Sequence, residues 1–320
     1  MSRTASTELV GAGLIILAAA SFGTLGPLSR YADQAGVSSL TLVTWRAAVG
    51  AACVLAFLTV RTLSGRHPIR PWRTLPSRDR WFVSIAAVTN AALNLAVFVA
   101  FVRIGISLTL LIFYLYPALV AVASVAWFGE RLDRIRWAAL GVSLAGVILV
   151  MAGAGPLDRM DLVGIGLALV GALAQMFYAL AARHGFSSIP GPQAAAVTMG
   201  GAAAVYLVLG LLIGRLGDVA QPLASLPALW PVLLAGVVGA GLPTVCFIAG
   251  IRRLGAPRAT ILATLEPVVG VGLAAVLFNA PPTSMQVVGG ALIIAAGILL
   301  QLRRPEVAEH EALPEEAPAA

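Results

Sequence analysis

The chain has 320 residues, of which 59% are hydrophobic and 11% charged. A soluble domain carries about 25% charged residues, so polar groups cannot cover a globular surface here and most of the surface must face lipid. The formal charge of +7 is carried by 21 arginines with no lysine, and their placement decides whether it speaks for nucleic acid.

A helix needs about 20 apolar residues to cross the hydrocarbon. Ten such stretches follow one another, at 9–29, 38–60, 81–102, 105–127, 136–153, 162–182, 193–214, 228–250, 257–278 and 284–302. The predicted fold class is all-α integral membrane, with ten transmembrane helices. Span 1 is longer than the roughly 7–15 residues of a signal-peptide core and nine spans follow, so it reads as a retained helix. It carries Ser21 and Thr24 as an i,i+3 pair, then Pro27. Span 2 holds Arg46 and Cys53. The loop after it, "RTLSGRHPIRPWRTLPSRDR", has three prolines and six arginines, which predicts an irregular topology anchor lying against anionic headgroups.

Span 3 places Asn90 and Asn94 on one face at i,i+4. Span 4 contains "FYLYPALV", with Tyr114, Tyr116 and Pro117. Span 6 carries Gln175 and Tyr178 as an i,i+3 pair, and span 8 carries Pro243, Thr244 and Cys246. Span 9 reads "RATILATLEPVVGVGLAAVLF" and includes Thr260, Thr264, Glu266 and Pro267. Spans 5 and 10 carry the small-residue runs "GVSLAG" and "GGALIIAAG", which permit close helix contact; they read as scaffold and a candidate homodimer surface. The two cysteines sit inside apolar spans, as small packing residues do, and indicate no disulfide framework. Residues 303–320 are acidic and Ala/Pro-rich, a composition that predicts a disordered cytoplasmic tail.

With the N-terminus in the cytoplasm, sixteen arginines fall inside, and Arg30, Arg103, Arg159 and Arg215 fall outside. This positive-inside bias predicts a multi-pass protein of the bacterial inner membrane with both termini cytoplasmic. It accounts for the basic charge without a nucleic-acid partner. The partners expected are the lipid bilayer and a small-molecule substrate.

A shift of 150 residues lays "VRIGISLTLLIFYLYPALV" on "RRLGAPRATILATLEPVVG", matching Arg103 with Arg253, Gly105 with Gly255 and Pro117 with Pro267. Two repeats are predicted, 9–153 and 162–302, each of five spans. An odd span number turns the second repeat upside down, and the arginine bias of equivalent loops reverses accordingly. Inverted repeats are a common build of secondary transporters, with the substrate site near the midplane at the repeat interface.

The segments "SFGTLGPLSR", "TWRAAVGA", "YLYPALVAVASVAWFGERL" and "LEPVVGVGLAAVLF" resemble the drug/metabolite transporter superfamily, in its ten-helix EamA-type branch. The resemblance covers residues 9–302. It departs at Asn279–Ala280, where the pattern often repeats Gly-Glu, and at Ser21–Phe22, where many relatives carry an aromatic–Gly pair. It implies two inverted five-helix repeats around a central cavity, and export of amino acids, aromatic ones included, or of related metabolites or drugs.

Away from the span ends, Arg46 and Glu266 are the two formal charges inside the spans. At eight to ten residues from a span end they lie roughly 12–15 Å deep, where an ionisable group costs about 2.5–3.5 kcal/mol. Each has a structural reading, Arg46 on helix-end carbonyls and Glu266 on backbone donors freed by Pro267. Each also has a functional one, in coupling or in holding opposite ends of a zwitterion. The candidate substrate-binding set is Ser21, Thr24, Asn90, Asn94, Tyr114, Gln175, Tyr178, Thr244, Thr264 and Glu266. Pro27, Pro117, Pro243 and Pro267 are candidate hinges, with static kinks as the alternative.

No Walker-type phosphate loop occurs, and no His/Cys/Asp cluster offers a metal site, so no cofactor, metal or catalytic residue is assigned. The first reading is a secondary transporter moving a small organic solute by alternating access, with export as the direction that the resemblance implies. Uptake or exchange, a membrane-embedded enzyme, and a lipid scramblase or channel are the alternatives.

Overall fold

A computed structural model describes residues 3–65, 69–154 and 161–302. The tail 303–320, expected to be disordered, lies outside the described residues. The described residues are helical throughout their elements, with no strand. Among the described residues, eight apolar helical stretches are long enough to cross a membrane; one of them, Ser77–Phe128, is bent at Gly105 and holds two spans, and the shorter Ser284–Leu300 supplies the last. The protein is thus a ten-span membrane protein.

Span 1 is α1 (Arg3–Gly23) followed by α2 (Leu25–Gln34), and span 2 is α3 (Ser39–Leu63). Span 3 and the start of span 4 are α4 (Ser77–Phe113), continued by α5 (Tyr116–Phe128); span 5 is α6 (Arg134–Ala152). Span 6 is α7 (Leu162–Leu180) with a π-helical turn at Ala181–Gly185, and span 7 is α8 (Gly191–Leu212). Span 8 runs through α9 (Leu226–Gly236), a π turn at Val237–Gly241, and α10 (Leu242–Leu254). Span 9 is α11 (Ala256–Ala263) and α12 (Glu266–Phe278), and span 10 is α13 (Ser284–Leu302).

The prolines explain the interruptions. A proline lacks an N–H and its ring crowds the carbonyl four residues earlier. For Pro27, Pro117 and Pro267 that earlier residue is Gly23, Phe113 or Ala263, the last residue of α1, α4 or α11. For Pro243 it is Gly239, inside the Val237–Gly241 π turn. The chain tightens across the breaks with i→i−3 bonds, from the amides of Thr24, Leu115 and Thr264 to the carbonyls of Ser21, Ile112 and Ile261.

The 150-residue repeat reappears in the backbone. Tyr116–Phe128 and Glu266–Phe278 are equivalent helices, as are Arg134–Ala152 and Ser284–Leu302. Gly105 (φ 77°, ψ 164°) and Gly255 (φ 83°, ψ 156°) make the same turn. Gly129 and Asn279 end the equivalent helices in the same left-handed conformation. Packing follows the repeat as well: α4 lies on α7 as α10 lies on α1, while α3 pairs with α8 and α6 with α13.

Small residues set the closest approaches. A Cβ added to Gly146 would lie 2.7 Å from the Gly289 carbonyl, and one on Gly289 would lie 2.5 Å from the Gly146 carbonyl. The runs "GVSLAG" and "GGALIIAAG" therefore place Gly146 and Gly289 against each other within the chain. The homodimer surface expected there receives no support from these two glycines.

Candidate functional site

Between the two repeats lies a cavity of about 690 Å³. Its mouth is formed by Arg30, Asp33 and Ser39 at the α2–α3 junction, Val102 and Ile106 beside the Gly105 turn, and Gln286 at the start of α13. These all lie at the face opposite to the one where α1 begins. The floor is polar and aromatic, with Arg46 from α3, Asn90 and Asn94 from α4, Tyr206 from α8, and Glu266 at the first turn of α12.

The floor has two poles. At one, the Asn94 amide donates to the Asn90 carbonyl at 2.7 Å, which turns its own Oδ1 to accept from Arg46 Nη1 at 3.0 Å. The Tyr206 hydroxyl donates to the Ala91 carbonyl at 3.1 Å and stands beside the guanidinium. At the other pole Tyr114 and Glu266 line the cavity together. Tyr114, Tyr116 and Phe113 pack as one aromatic group, with ring centroids 5.2–6.2 Å apart. Arg46 and Glu266 are close enough to feel each other's charge, yet they form no ion pair. Both keep part of their surface open to the cavity. Gln175, Tyr178 and Thr244 line the same space, and the Phe22 and Phe247 rings meet edge to face at 6.3 Å on its wall.

Of the candidate set, Asn90, Asn94, Tyr114, Gln175, Tyr178, Thr244 and Glu266 line the cavity, and Arg46 joins them. Ser21, Thr24 and Thr264 are not among the lining residues. The Thr24 and Thr264 hydroxyls turn back onto the Ser21 and Ile261 carbonyls, each at 2.6 Å. Of the proline positions, Pro27 and Pro267 reach the cavity wall; Pro117 and Pro243 do not.

The opposite face is closed by polar contacts. Arg252, in the last turn of α10, donates to the carbonyls of Ala182 (3.3 Å), Phe186 (2.9 Å) and Ile189 (2.7 Å). Glu130 meets His184 at 3.2 Å, and the Phe128 ring stacks on the same imidazole at 3.9 Å. Asp79 accepts from the Ser188 amide at 3.0 Å, and Arg258 pairs with Glu8 at 3.2 Å. None of these residues is among those lining the cavity.

The profile of the EamA-like transporter family matches residues 9–152 and 162–302, one copy on each repeat. The chain belongs to the EamA-like transporter family. An uncharacterized transporter of Archaeoglobus fulgidus is 27% identical over 294 residues, covering 92% of this chain and 96% of that protein. A solved crystal structure superposes with a TM-score of 0.74 at 21% identity, covering 93% of this chain and 98% of its own, which establishes the shared fold. Family membership and the archaeal relative both point to transport rather than catalysis.

In this EamA-like transporter the main residue missed from the sequence is Tyr206. It has no polar neighbour at helical spacing and no marked equivalent in the other repeat. One signal was available: a tyrosine at mid-span must find a partner for its hydroxyl. Arg30 and Asp33 were also missed as lining residues; the sequence placed Arg30 only in an outside loop.

Proposed function

We propose that the protein is a secondary transporter that carries a small zwitterionic solute with an apolar or aromatic part, of the amino-acid class, by alternating access. The observation that carries the reading is the arrangement of Arg46 and Glu266. One comes from each repeat, neither neutralises the other through an ion pair, and both open on one cavity with aromatic walls. Two unpaired opposite charges at that depth are costly, and a solute carrying both complementary charges satisfies them together. The volume of about 690 Å³ falls within the roughly 300–1,000 Å³ of small-molecule sites.

The arginine bias supports an inner-membrane orientation with both termini cytoplasmic, so that the mouth faces outward. Export is the direction favoured by the resemblance to amino-acid and drug exporters. The seal at the α1 face supports a carrier over a channel.

The test is a panel of radiolabelled solutes on reconstituted protein, with and without a proton gradient. Saturable flux with counterflow for an amino acid, absent for the matched amine and the matched carboxylic acid, is expected. Equal flux of all three would remove the two-pole site.

A further inference from the structure

We infer that Arg252 is the lock that holds the α1 face shut and thereby sets which face is open at rest; this rests on the alternating-access reading above. The argument starts from the repeat. Positions 150 residues apart are structural equivalents, as the matched turns at Gly105 and Gly255 and the matched helices on either side demonstrate. The gate at each face is then built from equivalent parts: the tip of α10 against the α7–α8 connection on one side, and the bend of α4 at Gly105 against the α2–α3 connection on the other.

Among the positions where the two gates differ, the pair formed by Arg252 and Val102 bears most directly on closure. Arg252 uses three guanidinium nitrogens on the carbonyls of Ala182, Phe186 and Ile189, and its own carbonyl accepts from Arg183. The α10 tip is thereby stitched to the connection between spans 6 and 7. The equivalent position on the other face is Val102, which is 74% exposed and lines the open mouth. Asp33 and Ser39, across from it on the α2–α3 junction, line the same mouth. Valine offers no donor to carbonyls, so the outer gate has no equivalent stitch. A sequence that is nearly symmetric in scaffold is therefore asymmetric in what closes each end. A guanidinium fork matched to fixed acceptors is also poorly replaced by lysine, which donates from a single point.

Cys246 supplies a native reporter. It lies in α10 on the way from Arg252 to the cavity, is 5% exposed, and neighbours the lining residue Phe247. In a Cys53→Ala background, a charged methanethiosulfonate reagent is applied to each face of membrane vesicles in turn. Loss of charge-assisted hydrogen bonds shifts such an equilibrium by about tenfold or more. Labelling of Cys246 from the α1 face should rise about tenfold in Arg252→Ala, with a smaller rise in Arg252→Lys. The lysine variant, which keeps the charge and the stem, carries the test if the alanine variant does not fold. Equal, measurable rates in the parent and the folded variants would overturn the lock and leave alternating access standing. An absence of labelling from the α1 face in every one of them would likewise overturn the lock, since its removal would then open nothing.

Discussion

Arg46 and Glu266 open on the same cavity from opposite repeats without forming an ion pair, while Arg46 is held at 3.0 Å by Asn94. The chain thus sets a guanidinium and a carboxyl group on one cavity with no ion pair between them.

Glu266→Gln keeps the shape of the side chain but removes its ability to carry a charge. Expression and thermal unfolding in detergent should match the parent, and solute flux in proteoliposomes should fall by about tenfold, the scale of one lost charged hydrogen bond. Flux equal to the parent at every pH would take Glu266 out of the transport step.

Asn94→Leu removes the acceptor that aims Arg46. The guanidinium then loses a hydrogen bond worth about 1.5–3 kcal/mol to a charged group. Half-saturation for a zwitterionic solute should rise about tenfold, with a smaller change in the maximal rate. A changed maximal rate at constant half-saturation would place Asn94 in the conformational step instead.

Much of this architecture is legible in the sequence, for physical reasons. Apolar run length gives the ten spans, and Pro27, Pro117 and Pro267 mark the helix breaks because a proline forces them. The matched Gly105 and Gly255 reveal the repeat. The direction of a hydroxyl is not legible. A threonine inside a helix bonds back to its own i−3 or i−4 carbonyl or turns outward, and Thr264 does the first while Thr244 lines the cavity. Arg252 counted in the sequence as one more inside charge; only the fold brings the carbonyls of Ala182, Phe186 and Ile189 around it.

Gly105→Ala and Gly255→Ala place a Cβ on backbone that is almost exclusive to glycine. Nothing lies within 4 Å of either added atom, so the cost is conformational, about 1–3 kcal/mol at each site. Gly13→Ala and Gly166→Ala, in regular helix and equally free of neighbours, should be neutral or stabilising by about 0.5–1 kcal/mol. Thermal unfolding of the four variants checks this. An equal loss in all four would remove the role given to positive φ.

Outside the spans, the Asp161 carboxyl sits below the usual carboxylate range, first because Arg103 hydrogen-bonds it at 2.7 Å and next because the Val163 amide does. Its folded pKa is the lower one, so its contribution is present above the unfolded value and is lost as pH falls through the folded value. The pair is solvent-exposed, so the effect is small. Arg103→Ala should flatten the acid limb of the unfolding-temperature profile and leave neutral pH nearly unchanged; an unaltered acid limb would remove the pair from stability.

The central claim is that the two repeats enclose a wet cavity entered from one face. It is tested most directly by single cysteines at Asn94, Gln175 and Thr244 in a protein lacking Cys53 and Cys246, probed with a charged thiol reagent from each side. All three should label from the face opposite the α1 end and resist the reagent from the α1 side. Three positions sealed from both sides, or reached only from the α1 side, would contradict the account.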